Sequence, residues 1–100
     1  MAGPNLAQLM RDKKYQDVIF QFDNNSNLEY DPDFIDCLRY QMKTIDPGKN
    51  PEDTLELMRV VKAVSHASFV WFKSLSDREC FQFVDRIVSE EKTKHLHTYL

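Results

Sequence analysis

Two histidines one residue apart, His95 and His97, are the first pair in this sequence that could hold a metal, with His66 or a cysteine as a third ligand. Residues i and i+2 do not share a helical face, so the pair would chelate only on an extended segment. No Cys-x-x-Cys or His-x-x-x-His accompanies it. The expectation is a solvated or fraying tail, with no metal and no cofactor. Cys37 and Cys80 are the candidate nucleophiles. A thiol attacks as its thiolate and needs a neighbouring base or cation to lower its pKa. Neither cysteine lies near a histidine in sequence, and both fall in apolar-periodic stretches, which reads as buried thiols in a reducing compartment. Asp31 and Asp33 could suggest acid–base chemistry, but their place in the first turn of a helix already explains them through the helix dipole. With two glycines in the whole chain there is no glycine-rich phosphate loop. The residues offer no catalytic constellation, and the expectation is a protein that is not an enzyme.

The run Phe69-Val70-Trp71-Phe72 carries more information. Four large apolar side chains in a row point around most of a helix circumference, so the plain reading is a helix buried on most sides. The alternative is a helix with one open side that anchors a partner, since a small bundle has little surface with which to cover all four. Arg59, Lys62, His66 and Lys73 flank the run and would ring such a patch or form ordinary solvated surface. The candidate partner-binding residues are Lys62, His66, Phe69 and Lys73.

The elements that must position this run follow from local signals. Residues 5–14 read as a first helix capped by Asn5, with Leu6, Leu9 and Met10 on one face. Tyr15, Val18, Ile19 and Phe22 have helical spacing; a strand over 18–22 would have no partner. Residues 23–27 form a polar loop. Asp31-Pro32-Asp33 supplies a cap, a first-turn proline and an acid, and opens a helix carrying Phe34, Ile35, Leu38, Met42 and Ile45. Pro47 and Gly48 mark a turn. Asn50-Pro51-Glu52-Asp53 repeats the cap-proline-acid pattern before Leu55, Met58, Val61 and Val64. The chain breaks near Ser65. Ser76-Asp77-Arg78-Glu79 has the form of a capping box, ahead of Cys80, Phe81, Val84, Ile87 and Val88, and the predicted interior is the union of these stripes.

Composition agrees with few, long elements. The 100 residues are 42% hydrophobic and 29% charged, which fits one soluble domain and excludes a wholly disordered chain. Seven Phe, four Tyr and one Trp supply a substantial core, while two Gly are too few for the tight turns of an all-β domain. The formal charge is −3 and neither half is basic, so the electrostatic footprint of a nucleic-acid binder is missing. No run approaches a membrane span and the start lacks the features of a signal peptide. The predicted fold is an all-α bundle of five or six short helices over residues 5–91. Residues 1–4 and 92–100 are expected as tails, the latter as a tail or a frayed helix end. The expected compartment is the cytoplasm or the nucleus.

The stretch Leu28-Glu29-Tyr30-Asp31-Pro32-Asp33-Phe34-Ile35-Asp36, followed by Leu38, Pro51-Glu52 and Leu55-Glu56-Leu57-Met58, is similar to the C-terminal domain of the RNA polymerase II-associated TPR cochaperones. That family carries roughly "LEPDFL…IL", a short gap, "PE.VLEIL..L", and an aromatic-rich segment ending "FLS..E". The last part resembles Phe72-Lys73-Ser74-Leu75-Ser76 with Glu79, and Val18 to Phe22 stands where the family has "LPKLF". The resemblance covers about residues 15–90. It implies a non-catalytic helical docking module, part of a chaperone-associated scaffold, that binds the ring of a RuvB-like AAA+ ATPase and supports assembly of large complexes. Related domains occur in factors that preassemble ciliary dynein arms. The chain departs from the pattern in two places. Tyr30-Asp31 lengthens "LEPDF", and the "KRF" pair before the aromatic segment is absent from Val64 to Phe69. No contact residue is therefore carried over, and the candidate residues rest on local physics. The expectation is a monomeric domain without nucleic-acid or membrane partners. An alternative with the same composition is a homotypic helical adaptor of the death-fold type.

Overall fold

The computed structural model describes residues 5–25 and 27–99, with side chains described through Ser89. Six helices follow one another: α1 (Leu6–Arg11), α2 (Tyr15–Asn24), α3 (Pro32–Thr44), α4 (Pro51–Ser65), α5 (Phe69–Ser74) and α6 (Asp77–Tyr99). There is no strand among the described residues, and the architecture is an all-α bundle. No described helix is long and apolar enough to cross a membrane.

Most starts and stops have local causes. The Asn5 side chain accepts the Gln8 backbone N–H at 3.1 Å and caps α1. This helix is shorter than expected because Lys13 takes a left-handed conformation, φ 57°, and turns the chain after Arg11. The Lys13 and Lys14 N–H groups then satisfy the Met10 and Leu9 carbonyls at 3.0 and 2.9 Å. The segment that also admitted a strand is helical and runs on to Asn24, whose side chain donates to the Phe20 carbonyl. One Asp31 carboxylate oxygen accepts the Asp33 and Phe34 N–H groups at 3.0 and 3.3 Å, and Pro32 opens α3. Asn50 stands at the cap position of α4 without a side-chain capping bond; its carbonyl accepts the Thr54 N–H and hydroxyl instead, at 2.9 and 2.7 Å.

The core is the meeting of one stripe from each helix. α1 packs between α2 and α3, α2 lies along α4, α5 rests on α4 and α6 on α3. Phe34, Ile35 and Leu38 of α3 face Met10 and Val18 in a fully buried centre. Two faces differ from expectation. On α4 the buried stripe is Leu57, Val60 and Val64 with Thr54, while Leu55 and Met58 are exposed. That helix has apolar residues around much more than half its circumference, and spacing alone leaves its rotation open.

On α6 the buried residue is Phe83, whereas Phe81, Val84 and Val88 are exposed. Polar clasps set this rotation. Glu79, Phe83 and Arg86 lie on one face; Glu79 accepts from Arg39 of α3 at 3.0 Å, and the Arg86 guanidinium donates to the Met42 and Lys43 carbonyls at the end of α3. The expected capping box is absent for the same reason, because the Glu79 carboxylate is engaged by Arg39. Among the described residues the Ser76 hydroxyl makes no hydrogen bond. Ser76→Ala is therefore expected to change stability by less than about 0.5 kcal/mol; denaturant titration checks this, and a loss of ~1 kcal/mol would restore the cap.

Candidate functional site

α5 holds one aromatic side chain inside and two outside. Trp71 is 2% exposed. Its ring stands edge-on to Phe22 at 5.0 Å, Tyr30 at 5.1 Å and Phe34 at 5.8 Å between centroids. Offset and edge-to-face pairs of this kind contribute beyond the area they bury. Leu75, one helical turn on, is also buried. Arg39 adds a polar tie, donating to the Ser74 carbonyl at 2.5 Å, where the helix ends. The face that Trp71 and Leu75 occupy is fixed, and the remaining apolar residues must turn away from it. Phe69 is 67% exposed, Val70 53% and Phe72 49%. The reading of a helix buried on most sides is thus corrected: six residues are too few to have neighbours all round, and only Trp71 of the four is core.

Lys62, His66, Phe69 and Lys73 are all exposed. Phe69 and Lys73 lie one turn apart on α5, and the Lys73 ammonium sits 5.2 Å from the centroid of the Phe69 ring. At an exposed site such a cation–π contact contributes about 0.5–1 kcal/mol. Lys62 and His66 lie one turn apart at the end of α4, where the His66 N–H closes the helix on the Lys62 carbonyl at 3.0 Å. Among the described residues no hydrogen bond, ion pair or ring contact links one pair to the other. Arg59 is not part of the group, since it pairs with Glu56 at 2.6 Å.

Spacing pointed to Phe69 but passed over other exposed apolar residues. Val70 and Phe72 complete the outer face of α5. Leu55 and Met58 share a stripe of α4 with Lys62, and Phe81, Val84 and Val88 form a stripe on α6. Helical spacing alone places all of them in the core or in the run, because a sequence shows that a residue is apolar before it shows which side of a helix is covered.

The other chemistry-bearing residues have structural partners. Burial, Asp77 and Glu79 together push the Cys80 thiol above its ordinary pKa, the reverse of an activated nucleophile. The Cys37 sulfur accepts from Arg11 at 3.6 Å. Burial, with Asp53 nearby, raises the Tyr15 phenol, which donates to Gln41 at 2.6 Å. Among the described residues no group of three His, Cys, Asp or Glu is placed to hold a metal ion. The His95 and His97 side chains lie outside the described residues, as do Met1 to Pro4. No family model, curated protein or solved structure matches the chain.

Proposed function

We propose that this chain is a non-catalytic docking module of a chaperone-associated scaffold, and that the outer face of α5 is the surface it offers to a RuvB-like AAA+ ATPase ring. The observation that carries the reading is the division of α5 into one deeply buried anchor, Trp71, and three exposed apolar side chains, Phe69, Val70 and Phe72. A side chain held that firmly makes a rigid platform, and exposed aromatics on a rigid platform are what binding hot spots use. Lys62, His66 and Lys73 supply cationic or polar surroundings at its edge. The resemblance of residues 15–90 to the cochaperone domain names the partner, and with it complex assembly in the cytoplasm or nucleus.

The test is capture of the purified domain on a purified RuvB-like ring, with a salt titration and a light-scattering mass of the free domain. Saturable binding is expected. Phe69→Ala with Phe72→Ala should weaken it by roughly tenfold or more. His66→Glu should weaken it without unfolding the domain, and Lys73→Glu should weaken it at a stability cost of no more than the about 0.5–1 kcal/mol of its contact with Phe69, because both side chains are exposed. Equal binding by all these variants would remove α5 as the surface. No binding, together with self-association that salt weakens, would favour the homotypic adaptor instead.

A further inference from the structure

A second feature, independent of α5, lies between the end of α1, the outer flank of α3 and the turn that leads to α4. It is a cleft of about 540 Å³, within the range of roughly 300–1,000 Å³ of small-molecule sites. Its floor is already satisfied. The Tyr15 hydroxyl donates to Gln41 Oε1 at 2.6 Å, and Gln41 Nε2 donates to the Met10 carbonyl at 2.6 Å. Those groups hold the shape of the cleft.

The lip is different. Arg11 is held by neutral acceptors only: its Nε and one terminal nitrogen donate to Gln8 Oε1 at 3.4 and 3.3 Å, and the other donates to Cys37 Sγ at 3.6 Å. Among the described residues no carboxylate lies within ion-pair distance of it. Its guanidinium is therefore positioned and its charge is uncompensated. Lys13 lines the same cleft, brought there by its left-handed backbone. Its ammonium is 4.0 Å from Asp53, in an exposed pair that contributes little. Asp46, the one carboxylate in the lining among the described residues, is engaged in its own turn, where Oδ1 accepts the Gly48 and Lys49 N–H groups at 2.9 and 3.3 Å. Asp46 and Asp53 balance the two cations in formal charge, but among the described residues Arg11 has no carboxylate of its own within ion-pair distance. Tyr40, 67% exposed, and Ile45 supply the apolar part of the wall.

We propose that this cleft binds a small organic anion, a carboxylate joined to a flat apolar body. The Arg11 fork matches a carboxylate's geometry, Lys13 adds a point charge, and the Tyr40 ring with Ile45 covers the body. A neutral analogue would leave the Arg11 guanidinium without an anionic partner, so selectivity for the acid over its amide is part of the proposal.

The experiment is a nitrogen-15 NMR titration of the full chain with naphthalene-1-acetate, and in parallel with the neutral naphthalene-1-acetamide. The expected result is saturable shifts at the amides of Arg11, Lys13, Cys37 and Tyr40, with the acid about tenfold tighter than the amide. Arg11→Gln should lose about tenfold in affinity for the acid and little for the amide. Both Arg11 and Tyr40 are exposed, so neither Arg11→Gln nor Tyr40→Ser is expected to unfold the chain, and Tyr40→Ser should weaken acid and amide alike. Equal binding of acid and amide, shifts confined to Phe69 to Phe72, unchanged affinity in Arg11→Gln, or no shift at millimolar ligand would each overturn the proposal. None of these outcomes bears on ATPase docking.

Discussion

Trp71→Ala is expected to remove about 3–5 kcal/mol of unfolding free energy, the usual cost of emptying a large aromatic site in a core. Total stabilities run only to about 5–15 kcal/mol, so the variant would stand near the edge of folding. The reason is the number of elements that share this side chain. Phe22 belongs to α2, Tyr30 to the segment before α3, Phe34 to α3, and each meets the indole within 5.8 Å. α5 has six residues and no side-chain cap at Ser68, and it is too short to be helical alone. Without the indole, α5 should detach before the rest unfolds. Denaturant titration measures the loss, and Trp71→Phe should recover a good part of it by keeping ring contacts. A midpoint equal to wild type in Trp71→Ala would mean that the ring is not core.

Arg86→Met is the second large effect, expected at about 1.5–3 kcal/mol, the range for hydrogen bonds to a charged group. The guanidinium serves the Met42 and Lys43 carbonyls, which belong to the last turn of α3 and have no partner within that helix. Its own Nε is buried without an acceptor, which offsets part of the gain. Methionine keeps much of the apolar stem, so the substitution isolates the polar contribution. Arg86→Lys should recover little, since a single ammonium does not reproduce a planar fork over two carbonyls. Circular dichroism with denaturant titration reads both the stability and the helix content. Equal stability of Arg86→Met and wild type would show that the clasp contributes nothing.

The helices were legible because their ends carry local chemistry. Asn5, Asp31-Pro32 and Pro51 each act within three residues of themselves, and a sequence displays such signals directly. The rotations of α4 and α6 were not legible. Choosing Phe83 over Phe81 depends on Arg39 and Arg86 reaching across to other helices, over separations of 40 to 44 residues. The apparent capping box failed for that reason too, since Glu79 had a distant partner with a formal charge. Of the candidate patch, the run itself stood out, but the split between Trp71 and its neighbours needed the aromatic nest around the indole. The cleft beside Arg11 had no linear signature, because its walls come from three separate stretches of chain.

The same segment has a consequence for the chain before it folds. Ala67 to Phe72 is a six-residue window with no charge and no proline, and four of its residues are large β-formers. Such windows are templates for cross-β stacking when they open. In the folded protein Phe69 to Phe72 are wound into α5, away from the extended conformation that stacking needs, and the buried Trp71 holds that helix in place. His66 on one side and Lys73 on the other then stand as gatekeepers, placing polar side chains at both ends of the window. The residues that would frame a docking surface in the native state also guard nascent chains against aggregation, so a charge-removing change at Lys73 would lower soluble yield even where the folded domain is unharmed.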